Sequence, residues 1–310
     1  MDTADQTSTD GPDTGVDAIY RTAEVVGDAW SWLVMREAVL HEVSRFAEFH
    51  ARLGAARSTL SARLAALVEG GLLSHSGPSR REYQVTERGR DFFGCLMVAM
   101  RWGDRWYFDD RSRPQPATHI DCGQSFDAVL RCARCLHVLR AREVEANRRP
   151  PLGGPPFGTR HRSPSLDLLE RVQPCSIART LSVTGEWWSS LIIRESFFGT
   201  RHFDEFERHL GIAPNILSGR LRRLVELGVL ARREYQTWPS RHEYRLTHKG
   251  LDLYHVPLAM HTWGERRLDP DVELELTHKT CGARVHAVLT CDVCAAPVTR
   301  DDVDFDHPAT

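Results

Sequence analysis

The segment GDAWSWLVMRE at residues 27–37 recurs as GEWWSSLIIRE at residues 185–195, and the rest of the chain repeats around this pair. Further matches follow at an offset of 157 to 161 residues: FAEF (46–49) with FDEF (203–206), LSARL (60–64) with LSGRL (217–221), Trp102-Gly103 with Trp263-Gly264, and residues 118–135 with 277–294. A nearly constant offset over this length indicates an internal duplication with few insertions.

The chain has 310 residues, 41% of them hydrophobic and 26% charged, which is typical of a globular protein with two ordinary domains. A segment rich in Pro, Gly and Arg separates the copies and cannot form a periodic apolar face. The predicted division is an acidic lead (1–16), a first winged helix domain (17–109) with a cysteine-rich tail (110–146), a linker (147–165), a second winged helix domain (166–269) with its tail (270–300), and an acidic end (301–310).

The second copy shows the order of elements most clearly. A helix with apolar Phe203, Phe206 and Leu210 precedes a turn at residues 211–214, and the following helix carries a leucine stripe that ends near Gly228. Strands at 230–235 and 242–246 then flank a loop. Helix, turn, helix and β-hairpin together predict a winged helix.

A long helix is predicted after each wing, at residues 90–106 and 250–263. Its apolar side chains exceed what one amphipathic face needs, so we expect it to pack against another element or subunit. The predicted fold class is therefore α+β: two tandem winged helix-turn-helix domains, each followed by a small cysteine-rich, zinc-ribbon-like β-hairpin.

The second helix of each turn buries its leucines, which leaves the opposite face for double-stranded DNA. The candidates there and on the wing tips are Arg57, Ser58, Thr59, Arg63, Arg80 and Arg81 in the first copy, and Asn215, Ile216, Arg220, Arg222, Arg223 and Arg241 in the second. Arg57 and Asn215 are predicted to reach base edges, since Arg suits guanine and Asn suits adenine. Arg63 and Arg220 fit phosphate contacts and internal salt bridges equally well.

The charge distribution supports a nucleic-acid surface although the formal net charge is -2. Residues 45–90 hold eight Arg against four Glu, a local +4, and residues 201–245 hold nine Arg against six acids, a local +3. The acids gather near the two ends of the chain. Phosphate binding depends on the local patch rather than on the total charge.

Six of the eight cysteines fall into one repeated pattern, His-x2-Cys-x9-Cys-x2-Cys. We predict one structural zinc ion per copy, because two adjacent turns can place four such donors tetrahedrally. The predicted sets are His119, Cys122, Cys132 and Cys135 in the first copy, and His278, Cys281, Cys291 and Cys294 in the second. These histidines repeat, whereas His137 and His286 each occur in one copy only. A hairpin with buried free cysteines and a redox site remain as alternatives.

The second copy resembles the HxlR-type winged-helix regulators, which are relatives of the MarR group. The resemblance rests on residues 185–188, 217–221 and 228–230, and on PSRHEYRLTHKG at 239–250. It covers about 90 residues of each copy and is weaker in the first, whose wing lacks the Trp-Pro segment. It implies a dimeric regulator, commonly a repressor, with the terminal helices at the dimer interface. The duplication adds the expectation of an intramolecular pseudo-dimer beside that of a homodimer.

The resemblance also draws attention to Cys175, which matches the position where some HxlR-type regulators keep a redox-sensing cysteine. Asp17 holds the matching place in the first copy. A redox sensor and a structural cysteine at a helix start are both open interpretations of Cys175.

The sequence thus predicts a sequence-specific, DNA-binding transcription regulator, and a repressor rather than an enzyme. The rival interpretation is a zinc-stabilised interaction protein whose winged helices bind protein. No Ser-His-Asp pattern, phosphate-binding glycine loop or paired acidic site supports a DNA-processing enzyme. No apolar run reaches the roughly 18 residues of a membrane span. The expected location is the cytoplasm, and the effector is unknown.

Overall fold

A computed structural model describes residues 17–26, 28–76, 82–147, 164–238, 240–269 and 274–305 of the chain. The predicted acidic lead, residues 148–163 of the predicted linker and residues 306–310 of the acidic end lie outside the described residues. Each copy comprises a helical winged-helix part followed by a β-rich tail.

The first copy begins with helices and a short wing: α1 (Ala18–Val26), α2 (Ala29–Leu40), α3 (Phe46–Leu53), α4 (Arg57–Glu69), β1 (Leu73–Ser76), β2 (Glu82–Val85), α5 (Glu87–Asp91) and α6 (Phe93–Tyr107). Its tail contains β3 (Ala117–His119), β4 (Gln124–Ser125), β5 (Ala128–Cys132), a 3-10 turn (Ala141–Glu143) and β6 (Val144–Ala146). β1 and β2 pair antiparallel as the first wing.

The second copy repeats this order after one extra short helix: α7 (Leu166–Leu169), α8 (Ser176–Thr184), α9 (Trp187–Phe197), α10 (Phe203–Leu210), α11 (Pro214–Glu226), β7 (Leu230–Thr237), β8 (Ser240–Leu246), α12 (His248–Asp252) and α13 (His255–Arg267). Its tail contains β9 (Leu276–His278), β10 (Ala283–Arg284), β11 (Ala287–Cys291), a 3-10 turn (Arg300–Asp302) and β12 (Val303–Phe305). β7 and β8 pair antiparallel as the second, longer wing.

The long helices predicted at 90–106 and 250–263 are each divided in two. In the first copy, α5 is capped by the Thr86 hydroxyl, which accepts from the Gly89 amide, and α6 starts after Phe92. In the second copy the Thr247 hydroxyl caps α12 in the same way. These caps fix where α5 and α12 begin, because the hydroxyl satisfies a backbone N–H of the first turn.

The two copies exchange their first helices. α1 of the first copy packs on α13 of the second, and α8 of the second copy packs on α6 of the first. The Thr22 hydroxyl of α1 donates to the Met260 carbonyl at 2.9 Å, and the Thr180 hydroxyl of α8 donates to the Ala99 carbonyl at 2.7 Å. The surplus apolar side chains of the long helices are thus covered by the other copy, within one chain.

Two matching glycines permit this exchange. A Cβ atom at Gly103 would overlap the carbonyl of Ser176, and one at Gly264 would overlap the carbonyl of Ala18. Only a residue without a side chain allows the backbones to approach so closely. The repeated Trp-Gly pairs add a second contact, because the indole N–H of Trp102 donates to the carbonyl of Lys249 and that of Trp263 to the carbonyl of Arg88. The repeated Trp-Gly sequence therefore marks the contact between the copies.

Helix α2 lies at the centre of the first copy. All twelve of its residues are buried, because the other helices of its own copy cover one side and α8 covers the other. Its buried side chains include Arg36 and Glu37, which form an ion pair with each other. A helix that is buried on all sides needs no polar face, which explains the apolar character of residues 29–40.

We expect Gly103→Ala to lower the free energy of unfolding by several kcal/mol, because α8 must move away from α6 to accommodate the methyl group. Gly94→Ala, in the same helix, is the matched control, since its Cβ would meet nothing within 4 Å and Ala favours helix by about 0.5–1 kcal/mol. Urea denaturation of the three proteins measures both effects. Equal unfolding midpoints for the two variants would show that close helix approach is not required.

Asp104 lies in this same contact, where it accepts a hydrogen bond from the Ser176 hydroxyl at the start of α8. Burial raises the pKa of Asp104 to about 6, although the Ser176 hydrogen bond and Arg113 oppose the rise. The pKa of Asp104 is therefore higher in the folded state than in the unfolded state, and protonation of Asp104 stabilises the fold. The contribution of Asp104 to stability is full below about pH 4 and is lost as the pH rises towards 6.

Asp104→Asn retains a hydrogen-bonding side chain and cannot ionise. We therefore expect the variant to gain unfolding free energy relative to the wild type as the pH rises from about 4 to 7, by an amount on the order of 3 kcal/mol. Urea denaturation of both proteins at several pH values gives this difference directly. A difference that stays constant over the range would mean that Asp104 does not titrate as described.

Candidate nucleic-acid interface and metal-ligand groups

The helix α11 is positioned by the turn that precedes it. Gly211 ends α10 in the left-handed conformation, with a φ of 59°, and Pro214 occupies the first turn of α11. This is the place where a missing N–H costs nothing. The buried side chains of α11 are Leu217, Leu221 and Leu224, so the rest of its surface is available to a ligand.

The exposed face of α11 carries four of the six residues predicted to contact DNA in the second copy. Asn215, Ile216, Arg222 and Arg223 are all exposed. The Arg223 guanidinium also donates to the carbonyl of Ser182 in α8, at 3.2 Å. The first turn and outer face of the helix therefore present amide and guanidinium groups to solvent.

Helix α4 presents the corresponding face in the first copy. Its buried residues are Leu60, Leu64 and Leu67. Arg57 and Ser58 are exposed, whereas Thr59 is half-buried. The exposed groups at the start of α4 thus match those at the start of α11 in position but differ from them in chemistry.

Arg63 and Arg220 form internal ion pairs. The Arg63 guanidinium lies 2.6 Å from the carboxylate of Asp28, and the Arg220 guanidinium lies 2.9 Å from that of Glu186. Asp28 and Glu186 also cap the starts of α2 and α9. Of the two interpretations of these arginines, the structure shows the internal pair. Their contact with DNA remains a prediction.

The second wing extends to Trp238, whose side chain is 90% exposed. The Gln236 side chain donates to the Trp238 carbonyl at 3.0 Å and holds the tip. Arg241 is exposed on β8 and lies opposite Gln236. Trp238 is not among the residues predicted from the sequence to contact DNA, although an aromatic residue between Thr237 and Pro239 in a wing loop is a signal for such a role. The predicted wing residues Arg80 and Arg81 lie outside the described residues.

The eight predicted metal ligands come together in two groups of four. Group A contains His119, Cys122, Cys291 and Cys294, and group B contains Cys132, Cys135, His278 and Cys281. Within each group the candidate ligand atoms all lie within 4.8 Å of one another. The residues are those that the sequence indicated, but the grouping is different.

The predicted self-contained set in each copy is not what the structure shows. Each group takes its His-x2-Cys half from one copy and its Cys-x2-Cys half from the other. The reason lies in the strands, because β5 of the first tail pairs with β11 of the second. β3 lies between β4 and β12, and β9 lies between β10 and β6, so each hairpin also receives the last strand of the opposite tail. The tails are interlocked rather than two separate zinc-ribbon-like hairpins.

The donor sets of both groups suit a tetrahedral zinc ion, and the distances between ligand atoms lie near those of such a site, with the N–S distances below them. Zn–S and Zn–N bonds of about 2.3 and 2.0–2.1 Å place neighbouring ligand atoms roughly 3.6–3.8 Å apart. In group A, Nδ1 of His119 lies 3.2 Å from Sγ of Cys122 and 3.4 Å from Sγ of Cys294. In group B, Nδ1 of His278 lies 3.3 Å from Sγ of Cys135, and the Sγ atoms of Cys132 and Cys281 are 3.8 Å apart.

The histidines of both groups are fully buried, and the thiols are not equivalent. His119 and His278 are each 0% exposed, and Nδ1 of each faces sulfur, so Nδ1 is the atom that would bind a metal ion. Burial raises the pKa of Cys291 to about 11. The pKa of Cys294 is lowered, chiefly by the backbone amide of Ala296. Since a metal ion binds thiolates, a divalent cation in group A would have to offset the burial of Cys291.

Cys175 and Asp17 occupy matching places on the exchanged helices. Cys175 caps α8, and its Sγ accepts from the Arg36 guanidinium of the first copy at 2.6 Å. Asp17 accepts from the amide of Tyr20 at the start of α1 and from the Arg194 guanidinium of the second copy at 2.9 Å. The alignment of Cys175 with Asp17 is therefore reproduced in space, and Cys175 is a residue at a helix start, as one of the two interpretations expects.

Comparison with known proteins finds the same family in both copies. The family described as HxlR-like helix-turn-helix matches residues 25–111 and 183–272. These two segments include α2 to α6 and α9 to α13, and they leave both tails largely outside. The part of the chain that the structure describes has no helix long and apolar enough to cross a bilayer.

Individual relatives correspond to one copy of the duplication. An uncharacterized HTH-type transcriptional regulator of Mycobacterium tuberculosis strain CDC 1551 / Oshkosh is 43% identical over 140 residues, covering 44% of this chain and 88% of the relative. An uncharacterized HTH-type transcriptional regulator of Mycobacterium bovis is 42% identical over 140 residues, covering 44% of this chain and 88% of the relative. The regulator YdeP of Bacillus subtilis is 33% identical over 106 residues, covering 34% of this chain and 83% of the relative.

Proposed function

The chain belongs to the HxlR-like helix-turn-helix family, and from that premise we propose that it is a sequence-specific repressor that reads DNA with both of its copies. Membership in this family makes it a DNA-binding transcription regulator rather than an enzyme. The proposal adds sequence specificity, repression and the use of both recognition helices by one chain.

The observation that carries this proposal is the pair of exposed recognition faces on α4 and α11. In both helices the leucine stripe is buried and the opposite side is open. The exchanged helices α1 and α8 join the two winged helices within one chain. Paired readers of this kind bind two half-sites whose spacing is set by the protein.

The proposed contacts divide by chemistry. Arg57 and Asn215 start the recognition helices and are exposed, so we assign them to base edges, guanine for Arg and adenine for Asn. Phosphates are assigned to the exposed cations Arg222, Arg223 and Arg241. The remaining proposed contacts are Ser58, Thr59 and Ile216, together with Arg63 and Arg220 if their ion pairs open, and Arg80 and Arg81 on the first wing.

The alternative, an interaction protein whose winged helices bind another protein, has less support. A protein-binding face has no need of exposed arginines on both recognition helices. A gel-shift experiment with the region upstream of the protein's own gene, repeated across salt concentrations, separates the two functions. Binding that falls steeply with salt and still prefers one sequence supports the repressor. Absence of DNA binding at low salt would favour the interaction protein.

We expect Asn215→Ala to reduce the preference for the cognate sequence by about 1–3 kcal/mol, because an amide contact to adenine is lost. Arg241→Ala should instead weaken binding to all sequences and reduce the salt slope by about one. Competition gel shifts with cognate and scrambled duplexes measure both quantities. If the two variants lose sequence preference equally, the assigned roles are incorrect.

We also propose that groups A and B each bind a structural zinc ion. The supporting observations are the tetrahedral distances, the three thiols in each group and the burial of both histidines. The proposal requires a reducing compartment such as the cytoplasm, since disulfides cannot act as ligands. Purified protein should contain about two zinc ions per chain by elemental analysis. A zinc content well below one ion per ligand group would contradict the zinc proposal.

A second candidate role concerns Cys175 as an oxidant-sensitive thiol. The Arg36 guanidinium beside its sulfur and its place at a helix start are surroundings in which cysteines react. Its burial, with 4% of the residue exposed, limits access to small oxidants. The structural alternative is that Cys175 only caps α8.

We expect hydrogen peroxide to lower the DNA affinity of the wild type and to leave that of Cys175→Ser unchanged. The reason is that oxidation at Cys175 adds oxygen to a buried contact between the copies. Both proteins are compared by gel shift after oxidation in the presence of zinc, and zinc content is measured alongside. A loss of affinity that accompanies zinc release in both proteins would assign the sensitivity to the ligand groups. No effect in either protein would remove the sensor role.

A further inference from the structure

We infer that the two metal ions act as cross-braces between the copies, so that metal loading sets how firmly one chain holds its two recognition helices together. The inference rests on the proposed zinc binding and adds to it a regulatory role for that binding. Each of groups A and B draws two ligands from each copy. A metal ion would therefore join parts of the chain that are 169–175 residues apart in group A and 143–149 residues apart in group B.

The shared β-ribbon shows where the braces lie. β5 and β11 pair antiparallel, with Leu130 opposite Leu289 at the centre of the ribbon. Cys132 of group B and Cys291 of group A end the two strands, at opposite ends of the ribbon. Five paired positions span roughly 13 Å at about 3.4 Å per residue. A metal ion at each end would fix the register of this ribbon, which has only two strands.

The tails are anchored to the winged helix of the opposite copy. Arg300, beyond group A in the second tail, donates to the carbonyls of Val39 and Leu40 at 2.8 and 3.0 Å. These carbonyls lie at the C-terminal end of α2 in the first copy, where the helix dipole favours a cation. In the other direction, Nε2 of His255 in α13 lies 2.8 Å from the carbonyl of Leu139 in the first tail.

These contacts connect the metal groups to the DNA-reading surface. Helix α2 ends at the carbonyls that Arg300 binds, and its start is capped by Asp28, which forms an ion pair with Arg63 of the recognition helix α4. A rigid, fully buried helix thus lies between the second tail and the first recognition helix. Release of the metal ions would leave the tails joined by strand pairing alone. The copies would then be held by that pairing and by the helix contacts at Gly103 and Gly264.

Paired ligand substitutions test which residues share an ion. His119→Ala with Cys122→Ser should leave about one zinc ion per chain, because only group A is lost. Adding Cys291→Ser and Cys294→Ser should remove no more zinc, since they belong to the same group. Adding Cys132→Ser and Cys135→Ser instead should remove the remaining ion. If each zinc ion were bound within one copy, the variant with Cys291→Ser and Cys294→Ser would lose both ions, and the variant with Cys132→Ser and Cys135→Ser would keep one. That result would contradict the inference.

The two fourfold variants lose the same residue types and control for each other. If both lose all zinc because the tails unfold, the wild-type ligands are tested in a chain with a protease site inserted between residues 148 and 163. After cleavage, the two halves are separated by gel filtration in rising urea, with zinc or with a chelator. Cross-bracing predicts a lower urea midpoint for separation with the chelator. An unchanged midpoint contradicts it.

DNA binding by the same cleaved chain, with zinc or with a chelator, tests whether the metal ions affect the DNA-reading surface. We expect chelation to reduce affinity for a duplex with two half-sites at least tenfold, and affinity for a single half-site much less. A wild type that contains no zinc would refute the zinc proposal itself. If the wild type contains about two zinc ions, but the ligand variants lose zinc as expected for one ion within each copy, only the cross-bracing is refuted. Equal losses on both duplexes would refute the regulatory role.

Discussion

The close contact of α6 with α8 and of α13 with α1 is the constraint on which the rest of the structure depends. It exists because Gly103 and Gly264 carry no side chain where a carbonyl of the opposite copy passes. The exchanged helices cover the apolar surplus of α6 and α13 and bring Cys175 and Asp17 to the buried arginines of the opposite copy. They also set the distance between the tails that allows their strands to interlock.

A duplication within one chain also permits the halves to differ. Arg36 of the first copy contacts the thiol of Cys175. The matching Arg194 of the second copy contacts the carboxylate of Asp17. The second wing is longer than the first and carries an exposed Trp238, and the two recognition helices begin with different residues. A homodimer would have to use identical side chains in both halves. This chain can instead read an asymmetric site and place a thiol at one of two otherwise related contacts.

Much of the fold could be predicted from local patterns. The leucine stripe of α11, its proline start and the glycine before it identify a recognition helix from sequence alone. The eight candidate metal ligands could also be identified, because their spacing repeats. Their grouping could not, since a His-x2-Cys half fits either Cys-x2-Cys half equally well. The packing of α1 on α13 and of α8 on α6 was not predicted, because it matches apolar faces of opposite copies and not of neighbouring segments. The break before α6 falls at Phe92, inside an apolar run whose periodicity does not show it.

The central claim is that one chain is a complete two-site DNA reader. It is tested most directly by the stoichiometry of the complex with DNA selected from a random library, measured by sedimentation together with a footprint of the bound duplex. The account predicts one chain per duplex, with two protected segments about one helical turn apart. A complex that needs two chains to protect two segments, or a single chain that protects only one, would contradict it.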